Sequence, residues 1–258
     1  MKIGIIGMGV VGSATHDGLA QLGHDMCHYD IADDQSKLTD VLNTECVFIC
    51  VPTPTVDGVC DVSQVKDTVE KLVKNRYHGI IAIKSTVIPG TTDQLLEQCA
   101  SSQLCFVPEF LRAKSALSDF VDNHDVLIVG TYSQTVYTTL VSIHGSLPEH
   151  CCMVTPVEAE ISKYFSNVYN ALRVVFANAM LEVCDSMGAD YQKVFDAVTL
   201  RRTITKFYLR ASKSTRGFGG HCLPKDTTAW AKFVQDQNLD LDIFNAIVKD
   251  NESFNNRK

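Results

Sequence analysis

The glycine-rich segment Gly7–Gly12, which reads GMGVVG, constrains the fold of this chain more than any other feature. It directly follows a strand-like apolar run, Lys2–Ile6, and precedes a helix-like stretch, Val11–Leu22. The pattern G-x-G-x-x-G alone also occurs in ordinary turns. Between a strand and a helix, its glycines allow a tight turn, a close approach of the backbone to a diphosphate, and close helix–strand packing. The sequence therefore predicts a βαβ unit that binds a dinucleotide at a helix N-terminus.

Acidic residues after the second predicted strand, Met26–Tyr29, indicate which dinucleotide is bound. Asp30 ends this strand and is expected to accept hydrogen bonds from the hydroxyls of the adenosine ribose. Asp33 and Asp34 would repel a 2′-phosphate, so NAD is favoured over NADP. The cofactor-binding residues predicted from this turn are Gly7, Gly9, Val10, Val11, Gly12 and Asp30.

Short apolar runs alternate with helix-like stretches over residues 1–155. Several runs contain Val, Ile, Phe and Cys without polar alternation, as expected for strands that are buried on both faces. The strands predicted after the first two are Cys46–Val51, Ile80–Ile83, Leu104–Val107, Val126–Val129 and Cys152–Val154. Strand–helix–strand order with this spacing predicts an α/β fold with a doubly wound, mainly parallel Rossmann sheet.

The pattern changes at Pro156, which can occupy the first turn of a helix. Helical periodicity then continues to about Met187 without a glycine or a proline, and Pro224 opens a final helical region after a glycine-rich loop. We therefore predict a Rossmann domain for NAD over residues 1–155 and a small all-helical domain over residues 156–258.

The composition excludes several other classes of protein. Lys and Arg number 23 against 30 for Asp and Glu, and the net charge of −7 does not suit a surface devoted to nucleic acid or an anionic membrane. No run of about 18 apolar residues is present, so no membrane span is expected. The ten cysteines include no C-x-x-C pair and no zinc-finger spacing. We therefore expect no metal site, and mostly buried thiols in a reducing cytoplasm.

The long predicted helix carries polar residues on one face, at Glu160, Lys163, Asn167 and Asn170. At about 100° per residue, an apolar stripe lies on the opposite face and consists of Ile161, Phe165, Val168, Leu172, Val175 and Ala179. A solvated face is the common explanation for such polar residues, but this face continues with Val174, Ala177 and Leu181. We therefore expect a helix that is buried nearly all round, with a local site at Lys163 and Asn167.

The segment Gly217–Asp226, which reads GFGGHCLPKD, holds the one cysteine with an activating sequence environment. Pro224 is expected in the first turn of a helix, which places Cys222 at the N-terminal end. The helix dipole and Lys225 both favour a thiolate there. Asp226, four residues on, is within reach of a group bound at the sulfur.

A basic stretch precedes and includes this segment, with no acidic residue between Asp196 and Asp226. Its basic residues are Arg201, Arg202, Lys206, Arg210, Lys213, Arg216 and Lys225. In an acidic chain, such a local excess indicates an anionic ligand such as a diphosphate. A nucleic-acid patch is the alternative, but few aromatic residues are interleaved for base stacking.

Together these motifs resemble the UDP-glucose/GDP-mannose dehydrogenase family over essentially the whole chain. Further matching segments are residues 50–55 (CVPTPT), 84–91 (KSTVIPGT) and 107–112 (VPEFLR). The resemblance implies an NAD-dependent, two-step oxidation of the C6 alcohol of a nucleotide sugar to a carboxylate, with UDP-glucose to UDP-glucuronate as the first expectation. It also implies a homodimer formed through the helix at 156–187.

The same resemblance implies roles for individual residues. Cys222 is the nucleophile that forms a thiohemiacetal and then a thioester, and Lys163 and Asn167 stabilise oxyanions. The residues implied to position or deprotonate water are Asp226, Glu109 and Thr86. Further implied cofactor-binding residues are Thr53, Ser85, Thr86 and Lys225. The implied substrate-binding residues are Phe110, Leu111, Lys163, Asn167, Arg202, Arg210, Gly217, Phe218 and Gly219.

The chain departs from the family pattern at several places. Ala113 stands where a second Glu is common, His221 replaces a small Ser, Leu223 replaces an aromatic residue, and a few extra residues lie around Lys213–Arg216. The sequence also stops about where a further Rossmann-like domain begins in the family. We therefore expect a short form without the C-terminal nucleotide-sugar-binding domain, with either weak substrate affinity or a separate chain that supplies that domain.

Two other functions are consistent with the same residues. A β-hydroxyacid dehydrogenase has a similar size, Rossmann domain and helical second domain, but its chemistry needs a lysine and no nucleophilic cysteine. The other alternative is non-catalytic, either an NAD-binding remnant or an interaction module. The sequence does not select among UDP-glucose, GDP-mannose and UDP-N-acetyl-hexosamines.

Overall fold

A computed structural model describes residues 1–99 and 103–257 of the chain. These residues form two compact units. Among the described residues, the first unit consists of those in 1–54 and 61–163, and the second consists of those in 55–60 and 164–257. Lys258, the last residue of the predicted helical domain, lies outside the described residues.

The first unit is built on a seven-stranded sheet. The strands of the described chain are β1 (Lys2–Ile6), β2 (Asp25–Tyr29), β3 (Cys46–Ile49), β4 (Thr55–Val56), β5 (Val59–Cys60), β6 (Ile80–Ile83), β7 (Leu104–Phe106), β8 (Val126–Gly130) and β9 (His150–Val154). The large sheet has the order β2-β1-β3-β6-β7-β8-β9. Neighbouring strands are parallel except β7 and β8, where Phe106 pairs with Gly130 in an antiparallel sense. The prediction of a mainly parallel Rossmann sheet is confirmed.

Helices cover both faces of this sheet, which is why its central strands β3, β6 and β7 are apolar and buried throughout. The helices of the described chain are α1 (Val10–Gln21), α2 (Leu38–Val41), α3 (Ser63–Lys74), α4 (Thr91–Cys99), α5 (Ala116–Val121), α6 (Gln134–His144), α7 (Pro156–Ser186), α8 (Tyr191–Val198), α9 (Cys222–Asp236) and α10 (Ile243–Asn255). Within β3, Cys46 and Phe48 face one core whereas Val47 and Ile49 face the other. Each such buried side chain contributes roughly 1.5–3 kcal/mol.

A glycine in β8 allows the first turn of α7 to lie against the sheet. A Cβ atom at Gly130 would lie 2.6 Å from the Cβ of Ala159 and 2.9 Å from the Cα of Pro156. The approach is possible only because Gly130 has no side chain. This close contact with β8 positions the first turn of α7 against the sheet.

The second unit is helical apart from one hairpin. Its core includes Val168 and Val175 of α7, Phe218 of the glycine-rich loop, and Ile247 and Phe254 of α10. The hairpin β4–β5 lies beside α9, where the hydroxyl of Thr55 donates to the carbonyl oxygen of Lys225 at 3.0 Å.

Helix α7 is not buried nearly all round, as the sequence led us to expect. Phe165, from the predicted apolar stripe, is 71% exposed, and Ile161 of the same stripe is also exposed. The polar residues Lys163 and Asn167 are buried instead. The expectation of a buried polar patch therefore holds, but the helix exposes an apolar face in addition. In the part of the chain that the structure describes, no helix is long and apolar enough to cross a membrane.

Candidate active site

The three glycines of the GMGVVG turn differ in what surrounds them. Gly7 has a φ of +92°, and a Cβ atom there would lie 2.7 Å from the carbonyl oxygen of Cys50. A Cβ atom at Gly12 would lie 1.9 Å from the carbonyl oxygen of Gly7. Gly9 is exposed, and a Cβ atom there would meet nothing within 4 Å. Gly7 and Gly12 are therefore required by the fold, whereas Gly9 leaves open space at the N-terminus of α1.

Asp30 holds this turn from the end of β2. One carboxylate oxygen accepts a hydrogen bond from the backbone N–H of Met8 at 2.6 Å, and the other accepts from the N–H of Ala32 at 2.8 Å. A carboxylate offers about four acceptor positions, so Asp30 can also accept from a ribose hydroxyl. Open space at Gly9, a helix N-terminus and a fixed carboxylate fit a dinucleotide with an unphosphorylated ribose.

Three other predicted cofactor-binding residues follow the carboxyl ends of neighbouring strands. Thr53 comes after β3, and Ser85 and Thr86 come after β6, which pairs with β3 in the sheet. All three are buried, and the hydroxyl of Ser85 donates to the carbonyl oxygen of Val51 at 2.7 Å. In parallel sheets ligands bind at this edge, so these residues lie where the first unit can contact a dinucleotide.

Lys163 and Glu109 form a buried ion pair in the first unit. The Lys163 ammonium donates to Glu109 Oε1 at 2.8 Å and to the Glu109 carbonyl oxygen at 2.5 Å. Oε2 of Glu109 accepts from the N–H of Leu111 at 2.7 Å, and the Phe110 ring lies 5.7 Å from the Lys163 ammonium. Burial alone would raise the pKa of Glu109, but the charge and hydrogen bond of Lys163, the N–H of Leu111 and the charge of Lys84 together hold that pKa below its usual value.

Glu160 lies one turn before Lys163 on α7 and is completely buried. Its carboxylate accepts from the N–H of Gly90 at 2.5 Å, from the N–H of Thr92 at 2.8 Å and from the Thr92 hydroxyl at 2.6 Å. These donors lie at the start of α4, where backbone N–H groups lack intrahelical partners. Burial raises the pKa of Glu160 to about 7, although the three donors act in the opposite direction. Sequence reasoning placed Glu160 on the polar face without assigning it this role.

In the second unit, Asn167 and Asp226 are joined directly. The amide of Asn167 donates to Asp226 Oδ2 at 2.6 Å, and the Lys225 ammonium donates to Asp226 Oδ1 at 2.5 Å. Asp226 is 1% exposed. Lys225, implied as a cofactor contact, therefore also neutralises a buried carboxylate.

Cys222 is the first residue of α9, with Pro224 in the first turn as predicted. Of the ten cysteines, all within the described residues, Cys222 is exposed and the other nine are buried or half-buried. Burial raises the pKa of the Cys50 thiol to about 12 and also raises the pKa of Cys46 and Cys105. The position at a helix N-terminus thus distinguishes Cys222 from thiols that burial keeps protonated.

The basic stretch is divided between internal ion pairs and a cavity. Arg216 is buried and pairs with Glu182, and Lys213 pairs with Asp185 at 3.2 Å. A cavity of about 460 Å³ in the second unit is lined by Val174, Lys206, Phe207, Tyr208, Arg210, Thr215 and Gly217. Of the predicted substrate contacts, Arg210 and Gly217 line this cavity. Arg202 and Gly219 are exposed elsewhere on the loop, and the Phe218 side chain lies in the core.

Two asparagines of α10 that the sequence reasoning missed hold the loop before Cys222. Asn251 exchanges two hydrogen bonds with the backbone of Phe218, and Asn255 donates to the same carbonyl oxygen. An available signal was the position of Asn251 within an apolar helix face, four residues after Ile247 and three before Phe254.

Among the described residues, no group of three or more His, Cys, Asp or Glu side chains is arranged to hold a metal ion.

Comparison with known proteins identifies relatives over almost the whole chain. Residues 33–147 match the NAD binding domain of the UDP-glucose/GDP-mannose dehydrogenase family, and residues 157–253 match the central domain of that family. The UDP-glucose 6-dehydrogenase of Rickettsia typhi is 30% identical over 98% of this chain and 67% of its own length. The GDP-mannose 6-dehydrogenase of Pseudomonas syringae pv. tomato is 26% identical over 98% of this chain and 68% of its own length.

A solved structure shows the same arrangement of elements. A UDP-glucose dehydrogenase from the archaeon Pyrobaculum islandicum superimposes with a TM-score of 0.89 at 28% identity, over 98% of this chain and 68% of that one. The chain thus spans about two thirds of the length of these relatives.

Proposed function

This chain belongs to the UDP-glucose/GDP-mannose dehydrogenase family, and from that premise we propose that it oxidises the C6 alcohol of UDP-glucose to the carboxylate in two steps. The family consists of NAD-dependent nucleotide-sugar dehydrogenases, and the cofactor is NAD. The observation that carries the proposal is the exposed Cys222 thiol at the N-terminus of α9, with Asp226 one turn further on and bonded to Asn167.

The proposed contacts to NAD come from the glycine turn and Asp30. The N–H groups at the start of α1 face the diphosphate, with Gly9 leaving room for it, and Asp30 binds the ribose. When bound, NAD would supply the hydride acceptor, and two NAD molecules in succession would be needed, one for the alcohol and one for the thiohemiacetal. Thr53, Ser85 and Thr86 line the same edge of the sheet, and we also propose a contact from Lys225.

Cys222 provides covalent catalysis in this proposal. Its thiolate adds to C6 of the aldehyde, so that a C–S bond forms and the carbonyl oxygen takes a proton to give a thiohemiacetal. After the second oxidation, C6 is a thioester. Water then adds to that carbon, the C–S bond breaks, and the carboxylate and the Cys222 thiol are released.

Lys163 and Asn167 stabilise the oxyanions that form at C6. They are four residues apart on α7 and therefore on the same face of the helix. Glu109 and Asp226, each fixed by one of these donors, are proposed to position or deprotonate the hydrolytic water, with Thr86 as a further water contact. The carboxylates of Glu109 and Asp226 are already held by hydrogen bonds. Little reorganisation of these groups is therefore needed when negative charge develops on the oxygen at C6.

For the nucleotide sugar we propose the cavity beside the basic loop. Lys206 and Arg210 supply positive charge for the diphosphate, and Phe207 and Tyr208 supply aromatic surface. Phe110 and Leu111 lie beside the Lys163–Glu109 pair, which supports contacts to the sugar. We also propose contacts from Arg202, Gly217, Phe218 and Gly219.

We further propose a homodimer through α7. The exposed apolar residues of this helix are Ile161, Phe165, Tyr169, Phe176 and Val183, and the exposed Met187 directly follows its last residue. They recur at helical spacing, and a surface of this kind is typical of an interface. Light scattering of the purified protein tests the proposal, because Phe165→Glu with Phe176→Glu should yield a monomer.

Since the mechanism needs a reduced thiol, we place the activity in the cytoplasm.

The test of the chemistry is the yield of NADH per sugar, measured at 340 nm with UDP-glucose, GDP-mannose and UDP-N-acetyl-hexosamines. The proposal predicts a ratio near two with UDP-glucose. Cys222→Ala should lose the carboxylate product, whereas Cys151→Ala, at a half-buried position on β9, should behave as the parent. Full NADH formation by Cys222→Ala would instead indicate a β-hydroxyacid dehydrogenase type of reaction. Binding of NAD without any NADH would indicate a non-catalytic protein.

A further inference from the structure

The side chain of Asn251 on α10 holds the backbone of Phe218 at both of its polar groups. Asn251 Oδ1 accepts from the Phe218 N–H at 2.6 Å, and Asn251 Nδ2 donates to the Phe218 carbonyl oxygen at 3.2 Å. Asn251 is 6% exposed, and the Phe218 ring is buried among Val168, Val175 and Phe254. The loop therefore has one fully anchored residue at this point.

Phe218 and Asp226 are the two fixed ends of the segment that contains Cys222. Asp226 is tied to Asn167 at 2.6 Å. Between Phe218 and Cys222 lie Gly219, Gly220 and His221, all of them exposed, and a Cβ atom at either glycine would meet nothing within 4 Å. Because packing does not fix Gly219 and Gly220, the anchored residue Phe218 positions the chain at the start of α9.

We infer that Asn251 is a positioning residue for the Cys222 thiol. By fixing Phe218, it holds Cys222 as the first residue of α9, where the helix N-terminus stabilises a thiolate. The catalytic role of this position rests on the function proposed above, whereas the effect of Asn251 on the reactivity of the Cys222 thiol is independent of that function.

Asn255, one turn later on α10, is a natural comparison. It makes one hydrogen bond to the loop, from Nδ2 to the Phe218 carbonyl oxygen at 3.1 Å, and its buried Oδ1 atom has no hydrogen-bond partner among the described residues. A Cβ atom at Gly217 would lie 2.7 Å from that oxygen and 2.9 Å from Asn251 Oδ1, so the loop backbone passes close to both asparagines. Of the two asparagines, Asn251 alone bonds both the N–H and the carbonyl oxygen of Phe218.

The variant Asn251→Asp tests the inference because its effect is reversible with pH. An ionised carboxylate is acceptor-only and would face the Phe218 carbonyl oxygen, whereas a protonated carboxyl has one donor and one acceptor and reproduces the amide. Burial next to a carbonyl oxygen raises the pKa of such a carboxyl. The variant should therefore lose the hydrogen bond to the Phe218 carbonyl oxygen at pH 8, keep the one from the Phe218 N–H, and regain the lost bond at mildly acidic pH.

Two measurements follow the loop without requiring any sugar oxidation. The first is the rate of carbamidomethylation of Cys222 by iodoacetamide, followed by mass spectrometry and expressed relative to the parent at the same pH. The second is hydrogen exchange of the peptide that contains residues 217–220. For Asn251→Asp we expect alkylation about threefold slower at pH 8, since the thiolate fraction falls away from the helix N-terminus, together with faster exchange. Both values should return to those of the parent near pH 5.5.

Asn255→Asp is the matched control: it removes the other donor to the same carbonyl oxygen, but Asn255 is half-buried whereas Asn251 is buried, so it should change the alkylation rate less than Asn251→Asp at pH 8. An alkylation rate for Asn251→Asp equal to that of the parent at pH 8 would overturn the inference. So would an equal effect of both variants, or an effect that persists at pH 5.5 in protein that is still folded by circular dichroism. A protein that makes no NADH but shows the pH-reversible thiol effect would refute the proposed function and leave the positioning role intact.

Discussion

The Lys163 ammonium lies 2.8 Å from Glu109 Oε1, and both side chains are almost completely buried. A second contact, to the Glu109 carbonyl oxygen at 2.5 Å, fixes the ammonium from another direction. The residue proposed to stabilise oxyanions is therefore held by the residue proposed to position water. Because neither the Lys163 ammonium nor the Glu109 carboxylate is exposed to solvent, each charge is stabilised by the other.

Glu109→Gln should destabilise the protein by about 3–5 kcal/mol, because it removes the carboxylate that the buried Lys163 ammonium contacts. The double variant Glu109→Gln with Lys163→Met should recover much of that loss. Urea unfolding followed by fluorescence measures both. Lys232→Met, which breaks an exposed pair with Asp236, is the control and should cost less than about 1 kcal/mol. Equal losses for the single and double variants would contradict the coupling.

The same pair predicts a pH dependence. The pKa of Glu109 is lowered in the folded state from an ordinary value of 4.5. The stability that the pair contributes is therefore present above pH 4.5 and is lost as the pH falls through the lower folded value. Glu109→Gln should remove this part of the acid transition, as measured by thermal unfolding between pH 6 and pH 3.

Glu160 should act in the opposite sense, because burial raises its pKa from 4.5 to about 7. Between these values the folded state binds a proton that the unfolded state has released, so stability falls as the pH rises from 4.5 to 7. The full difference corresponds to about 3 kcal/mol. Glu160→Gln should flatten this slope in unfolding curves measured across the range. Glu158→Gln, an exposed position on the same helix, should leave the slope unchanged.

Gly9→Ala and Gly12→Ala should separate binding from folding. At Gly9 an added methyl group meets nothing in the protein, so the melting temperature should stay the same while NAD affinity falls. At Gly12 the methyl group would lie 1.9 Å from a backbone oxygen, so the protein itself should be destabilised, by about 1–3 kcal/mol. Calorimetry gives both quantities. A Gly9→Ala variant that binds NAD as the parent does would exclude this turn as the diphosphate site.

Asp30→Ala should weaken NAD binding by about tenfold, since it removes the ribose acceptor and the anchor of the Met8 N–H. It should also reduce the preference for NAD over NADP. For the affinity for NAD, Asp33→Ala is the matched control because its carboxylate bonds to His28 and Gln35 and not to the glycine turn. Titration of each variant with both dinucleotides by fluorescence quenching is the measurement, and equal losses for the two variants would contradict the assignment to Asp30.

The elements that the sequence predicted well are those whose signals are local. The run of β3, from Cys46 to Ile49, is apolar at every position, and it is buried at every position. The glycine turn lies between β1 and α1 as its spacing required, and Pro224 places Cys222 at the start of α9. Each of these follows from chain conformation or from a continuous apolar pattern, which neighbouring residues encode.

The arrangement of α7 could not be predicted in the same way. Periodicity identified two faces, but it could not decide that Lys163 and Asn167 would be buried while Phe165 would be exposed. That choice depends on partners distant in sequence, Glu109 for Lys163 and Asp226 for Asn167. Similarly, Arg216 belongs to the basic stretch in the sequence, yet it is buried against Glu182.

Short segments of the chain were sufficient to predict a dinucleotide turn, a parallel sheet and a cysteine at a helix N-terminus, because backbone geometry and hydrophobic periodicity are local properties. Long-range packing sets which charges are paired, which asparagines hold the cysteine loop, and which basic residues line a cavity. Burying a charge or an amide is favourable only when a complementary group meets it. In this protein those groups are supplied by residues many positions away, as Asn251 is for Phe218.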